Sequence, residues 1–288
     1  MTPRAGCPAI VTLLTDFGAS DAYAGVMKGV MLGINPSLAI VDLTQDVRPQ
    51  DVLQGAFLLG TAWRYFPPGA IHVAVVDPGV GTDRRALLAQ GEGHTFLAPD
   101  NGLLSFVLRS AFDRPSTGSG RTEEPFAVRH RPLPPGFHAY ALTNPHYWLP
   151  KVSSTFHGRD VFAPVAAHLS LGAPPEEMGE PVSTVATFLI PQPRWEGGRL
   201  VGCVLHVDRF GNIVTNVTAE AVAGLGANPV VEVGGKGIRG LSATYGAGSG
   251  LVALTGSHGY LEIALVNGDA ARALGVKVGD AVAVRSAT

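Results

Sequence analysis

Cysteine is almost absent from this chain. Cys7 and Cys203 are its only two, too few and too far apart for a disulfide scaffold or a cysteine-ligated metal site. Charge is sparse as well: 15% of the residues are charged and the formal net charge is −2, which leaves no electrostatic footprint for nucleic acid. No apolar run reaches the roughly 18 residues a membrane helix needs. Met1 to Pro8 carries one arginine with no long apolar segment behind it, so no signal peptide is expected. Several catalytic motifs are missing too. The chain has no Gly-x-x-x-x-Gly-Lys-Ser/Thr loop, no His-x-x-x-His or Cys-x-x-Cys zinc spacing and no Gly-x-Ser-x-Gly elbow. Gly79-Val80-Gly81 lacks the third glycine of a dinucleotide fingerprint. These absences point to a soluble, cytoplasmic protein that binds neither nucleic acid nor membrane. Its 288 residues, 46% of them hydrophobic, fit one large domain or two moderate ones.

What is present begins with alternating elements. Ile10 to Leu14 reads as a buried strand ended by Thr15-Asp16-Phe17-Gly18. Asp21 to Ile34 has apolar residues at helical spacing, with Ser20 or Asp21 available as the N-cap, and Asn35-Pro36 stops it. Ala39 to Leu43 is a second strand, and Gln50 to Tyr65 a second amphipathic helix. Pro67-Pro68-Gly69 breaks that helix, and an apolar run from Ala70 to Val76 follows. Strand, helix, strand, helix, strand is the pattern of a parallel sheet with right-handed crossovers. The third strand ends in Asp77-Pro78-Gly79-Val80-Gly81-Thr82-Asp83-Arg84, where glycines allow positive φ and close approach of a ligand to backbone. Asp16 and Asp77 thus both follow strand carboxyl ends, where open α/β sheets keep their ligands.

Leu87 to Gln90 and Thr95 to Ala98 read as further strands, and Leu103 to Leu108 as a short helix. Residues 110–136 change character, with a Ser/Gly tract, the basic cluster Arg129-His130-Arg131 and Pro132-Leu133-Pro134-Pro135-Gly136. This is a surface insertion in the expected N-terminal α/β domain, 1–190. Ser153 to Asp160 then leads into a helix whose first turn or kink must contain Pro164. His157 and Gly158 precede that helix N-terminus, where the dipole favours a neutral imidazole. Residues 191–198 read as a linker. From 199 to 288, short strands separated by glycine-rich turns indicate a small β domain, a barrel or a sandwich. Its sharpest motif, Val207-Asp208-Arg209-Phe210-Gly211-Asn212, offers an acid, an aromatic face and an amide, although a hairpin turn uses the same residue types. Alternation over Tyr260 to Leu265 puts Glu262 on the face opposite Leu261 and Ile263; that face is either solvated or ligand-facing.

Four of these stretches resemble the S-adenosyl-L-methionine hydroxide adenosyltransferase family, the water-using relatives of fluorinase and chlorinase. They are Leu14 to Gly18, Val76 to Thr82 with Arg84, Ser153 to Asp160, and Asp208 to Asn212. The resemblance implies a large α/β domain with a mostly parallel sheet and a smaller C-terminal β-barrel. It also implies a homotrimer with active sites at subunit interfaces. The implied reaction is hydrolysis of S-adenosyl-L-methionine to adenosine and L-methionine, with no metal and no cofactor apart from the substrate. By motif, Asp77, Arg84 and His157 look like the water-activating triad and Asp16 like the ribose-diol ligand. Phe210 and Asn212 would lie near the adenine and Asp208 would hold the methionine ammonium; Ser257 and Glu262 are similar to further ligand positions.

The chemistry is consistent with those side chains. A sulfonium needs no acid to leave, and in-line attack at the 5′ carbon requires water held opposite the carbon–sulfur bond. Water, with a pKa of about 15.7, is the weak partner, so a base or a site favouring hydroxide must supply nucleophilicity. Two alternatives use overlapping residues. A halogenase would need a dry halide site; in the halogenating relatives an aromatic replaces the triad aspartate, and fluorinases carry serine where this chain has Gly158. A non-catalytic binder of an adenosine-containing ligand would keep Asp16, Phe210 and Asn212 without needing the triad.

Overall fold

The structure is a computed structural model that describes residues 8–112, 124–226 and 228–287. It divides into two compact units, Met1–Leu189 and Ile190–Thr288.

The first unit is built on a seven-stranded sheet. Its strands are β1 (Ile10–Thr15), β2 (Ala39–Thr44), β3 (Ile71–Val75), β4 (Ala86–Gly91), β5 (His94–Pro99), β7 (His138–Leu142) and β8 (Gly179–Pro181), ordered β2-β1-β3-β5-β4-β7-β8. The first four in that order are mutually parallel, while β4 is antiparallel to both β5 and β7. Five strands, the parallel four plus β7, therefore point the same way, and the sheet is mostly parallel in direction. β1 and β3 are buried almost along their whole length because α1 (Tyr23–Ile34) and α4 (Ala163–Ser170) cover one face. Helices α2 (Val52–Ala62) and α3 (Ser105–Phe112) pack on each other, with Phe57 edge-on to Phe106. Central strands of this kind read as unbroken apolar runs.

Neither Ser20 nor Asp21 caps α1, which starts two residues later with Ala22 at the N-cap and no side-chain cap bond. Asp51, in contrast, caps α2 by accepting the Gln54 N–H. The stretch read as an insertion, 110–136, contributes strand β6 (Val128–Pro132), antiparallel to β9 (Thr184–Phe188). Arg129, His130 and Arg131 are exposed members of that strand; 113–123 lie outside the described residues.

The second unit is an antiparallel sheet that nearly closes on itself. Strands β11 (Arg199–Val207), β12 (Ile213–Thr218), β13 (Pro229–Val233), β14 (Lys236–Arg239), β15 (Leu251–Thr255), β16 (Tyr260–Leu265) and β17 (Ala281–Ser286) run in the order β14-β13-β17-β11-β12-β16-β15. The ends approach one another: Ser242, beyond β14, donates its N–H to the Ala253 carbonyl on β15 at 2.7 Å. Two short helices, α5 (Ala219–Ala223) and α6 (Ala270–Leu274), help close the core around Val204, Ile213, Val231 and Ile263. The expected linker 191–198 is partly structured, since β10 (Arg194–Glu196) pairs with β11 across the Gly197-Gly198 turn. Both glycines have positive φ, the requirement of a tight two-residue hairpin.

Candidate active site

Strand β3 delivers Asp77 just past its carboxyl end, and the turn after it brings Arg84 back. The Arg84 Nε donates to Asp77 Oδ1 at 2.9 Å and its Nη2 to Oδ2. Both side chains are nearly buried, 10% and 6% exposed, so this is a bidentate pair largely removed from water. The same Nη2 lies 2.8 Å from His157 Nδ1. A guanidinium has donors only, so Nδ1 must be the acceptor and the ring proton sits on Nε2. Burial and the Arg84 charge push the His157 pKa below its ordinary value, against the opposing pull of Asp77 and Asp160. His157 is therefore neutral at neutral pH, with an Nε2–H left to donate.

The loop carrying His157 is positioned by Asp160, whose side chain is fully buried. Its carboxylate accepts the Ser153 N–H at 2.8 Å and pairs with Arg159 through both oxygens. Burial raises the Asp160 pKa, but the Arg159 and Ser153 bonds outweigh it and hold the carboxyl below its usual range. Pro164 explains the helix start. It has no N–H for the Asp160 carbonyl, which instead accepts from Leu149 at 2.9 Å. The chain winds as a π turn over Gly158–Phe162, closed by Ala163 N–H on Gly158 O, before α4 begins. Single π turns of this kind are frequent at functional sites. Gly81 sets the spacing between the two loops. Its φ is +78°, and a Cβ there would run into the Ser154 carbonyl oxygen.

Asp16, Asp77 and His157 line one cleft of about 430 Å³ together with Gln50, Val80, Phe156 and Gly158. Asp16 Oδ2 accepts the Gln50 N–H at 2.8 Å. Sequence reasoning missed Gln50 and Asp160. Neither stands in a periodic pattern: Asp160 closes one of the four family-like stretches, and Gln50 reads only as the start of the second helix. Phe17, Tyr23 and Phe156 form an aromatic cluster with centroids 5.2–5.7 Å apart, Phe156 meeting both other rings edge-to-face, which walls this cleft and an adjoining one.

In the second unit Asp208, Phe210 and Asn212 share one turn. Asp208 Oδ1 accepts the N–H groups of Phe210 and Asn212, at 2.8 and 2.9 Å, and Oδ2 accepts the Asn212 side-chain amide at 2.9 Å. The motif thus builds its own hairpin turn and presents the Phe210 ring at 76% exposure. Glu262 is buried on β16 and accepts from the Tyr245 hydroxyl at 2.6 Å. That bond, with burial, pushes the Tyr245 pKa up to about 12. Tyr245 had no signal in the sequence. Ser257 lies in the exposed turn between β15 and β16. Among the described residues, no group of three or more His, Cys, Asp or Glu could hold a metal ion.

Residues 11–179 match the SAM hydroxide adenosyltransferase N-terminal domain and residues 202–283 match its C-terminal domain. The chain belongs to the SAM hydroxide adenosyltransferase family. A relative named (R)-S-adenosyl-L-methionine hydrolase, from Thermus thermophilus, is 42% identical over 93% of this chain and 96% of its own. A fluorinase from an Actinoplanes species is 30% identical over 78% of this chain and 77% of its own. Among solved structures, an uncharacterized conserved protein from Thermotoga maritima has a TM-score of 0.82 at 32% identity, covering 96% of this chain and 99% of that one. In this member of the family the Asp77–Arg84–His157 group is set in a fold shared along nearly the whole chain.

Proposed function

We propose that this protein hydrolyses S-adenosyl-L-methionine to adenosine and L-methionine, acting on the (R)-sulfonium epimer that its relatives' names carry. The observation that supports this most is the shared guanidinium. Arg84 binds Asp77 and His157 at once, beside a cleft that also holds Asp16. In the reaction, water oxygen forms a bond to the 5′ carbon as the carbon–sulfur bond breaks. The electron pair leaves with sulfur, giving neutral methionine. The proton goes to Asp77, the one group of the three with acceptor capacity left. His157 donates its Nε2–H to the attacking oxygen and turns a lone pair toward carbon. Arg84 keeps both partners oriented. Asp16 takes the ribose diol.

General-base catalysis is worth about 10²–10⁴ in rate, so Asp77→Ala should lower kcat by that factor. Arg84→Ala and His157→Ala should each give large losses that do not add when combined. The test is turnover in ¹⁸O-water with mass spectrometry. Label in the adenosine 5′ hydroxyl supports attack by water; tight binding without adenosine release, or wild-type turnover by Asp77→Ala, overturns the assignment. Fluoride or chloride should yield no halogenated adenosine, because a carboxylate at the attacking position repels halide. The family resemblance further supports a homotrimer with active sites at subunit interfaces, while the sparse cysteine and the lack of a metal-ligand motif support a cytoplasmic location and metal-independent turnover. Insensitivity to chelators and sedimentation as a trimer are the expected results.

A further inference from the structure

Four non-glycine residues among those described have positive φ: Gln50, Glu92, Phe126 and Asn267. Of these, Gln50 alone lines the cleft that holds Asp16, Asp77 and His157. Its φ of +66° is a conformation that side chains other than glycine, asparagine and aspartate seldom adopt. The conformation aims the Gln50 N–H at Asp16 Oδ2, 2.8 Å away. Strain retained at a site wall calls for a reason of this kind.

The turn is held from both sides. Toward the sheet, Gly18 N–H donates to Gln45 O at 2.7 Å and Val47 N–H to Thr15 O at 3.3 Å, and the Thr15 hydroxyl bonds the Gln45 side chain. Toward the helix, the next residue is Asp51, which caps α2 and accepts from Arg48 Nε at 3.0 Å. Residue 50 cannot relax to negative φ without disturbing that cap or the contact with the β1 end. The outcome concerns a soft torsion. A carboxylate rotates broadly about χ2, and a vicinal diol needs its two oxygens fixed in one plane. One N–H on Oδ2 sets that plane and leaves an acceptor site on each oxygen.

We propose that Gln50 is a positioning residue: its left-handed backbone fixes the Asp16 carboxylate, so that selectivity for an intact ribose diol depends on the backbone at position 50. This rests on the reading that Asp16 binds the diol.

Calorimetry with adenosine and 2′,3′-dideoxyadenosine tests the proposal without requiring turnover. The wild type should prefer adenosine by at least about tenfold, the scale of a hydrogen bond to a charged group. Gln50→Gly keeps both the N–H and the positive φ and should retain the preference. Gln50→Val, whose β-branched side chain disfavours that φ, should lose most of it, with dideoxyadenosine affinity unchanged. In an Asp16→Ala background Gln50→Val should add nothing. A wild type indifferent to the diol overturns the role of Asp16 itself. A wild type that discriminates, with Gln50→Val equally selective, overturns the positioning role. So does Gln50→Gly as damaging as Gln50→Val, since the side chain would then be responsible. Equal loss of both ligands in Gln50→Val likewise refutes it, because that is collapse of the loop.

Discussion

Gly81→Ala is expected to damage both stability and turnover, through two separable effects. At φ +78° an alanine costs about 1–2 kcal/mol in backbone strain. The new methyl would also sit roughly 1 Å inside the ordinary carbon–oxygen contact of about 3.3 Å to the Ser154 carbonyl. That oxygen belongs to the loop carrying His157, so the Asp77–Arg84 turn and the His157 loop must part by a comparable amount. The Arg84 Nη2 to His157 Nδ1 distance is 2.8 Å, and an added 1 Å or so takes it outside hydrogen-bonding range. Misplacement on that scale costs on the order of 10²-fold in rate. Gly172→Ala is the control: its φ is +91° but a Cβ there meets nothing within 4 Å. Both variants should lose about 2–4 °C of melting temperature per kcal/mol of strain. Only Gly81→Ala should lose kcat, measured by adenosine release at a temperature where both are folded. Wild-type kcat in Gly81→Ala, or equal kcat losses in the two variants, would refute the claim that this glycine sets the distance between the loops.

Other outcomes follow from the buried groups. His72 is fully buried, its Nδ1 2.8 Å from Thr12 Oγ1 and its Nε2 3.1 Å from His94 Nδ1; burial, helped by His94, lowers its pKa from 6.5 to about 3. The unfolded chain therefore binds the proton first: stability is complete above pH 6.5 and lost as pH falls from there toward 3. The loss is about 1.4 kcal/mol per pH unit. Urea melts at several pH values should show a shallower slope over that window in His72→Gln than in the wild type. Gly158→Ser should lose about 1–3 kcal/mol by overpacking, because a Cβ added there would lie only 3.0 Å from Met27 Sδ and 3.2 Å from Phe156 Cε2. The same variant should form no halogenated adenosine in chloride or fluoride, because Asp77 remains in place. Asp100→Ala should cost about 1–3 kcal/mol in the melts, since it leaves the buried Ala186 N–H without its acceptor and releases the partly exposed Arg85 guanidinium.

The first five elements were legible in the sequence because their periods are clean and proline or glycine punctuates them. Asp16 and Asp77 were legible for the same reason, as charges ending apolar strands. The reversal of β4 was not, because a strand buried on both faces carries no mark of its direction. Strand β6 was missed because it is exposed throughout and rich in arginine, histidine and proline, so no alternation betrays it. The α1 cap was misassigned because two capping residues in sequence do not fix where the first turn closes. Gln50 and Tyr245 act through a backbone angle and a long-range hydroxyl, neither of which leaves a local pattern.

The Asp160 anchor bears on motion. The Leu149 N–H rests on its carbonyl and the Ser153 N–H on its carboxylate, so both ends of the segment before His157 are fastened to the first turn leading into α4. Such a segment opens with the helix as one cooperative unit. Hydrogen exchange at Leu149 and Ser153 should accordingly be slow and should track α4. The imidazole then has no private flexibility to freeze out when substrate arrives, and its ordering entropy is met during folding instead of during each turnover.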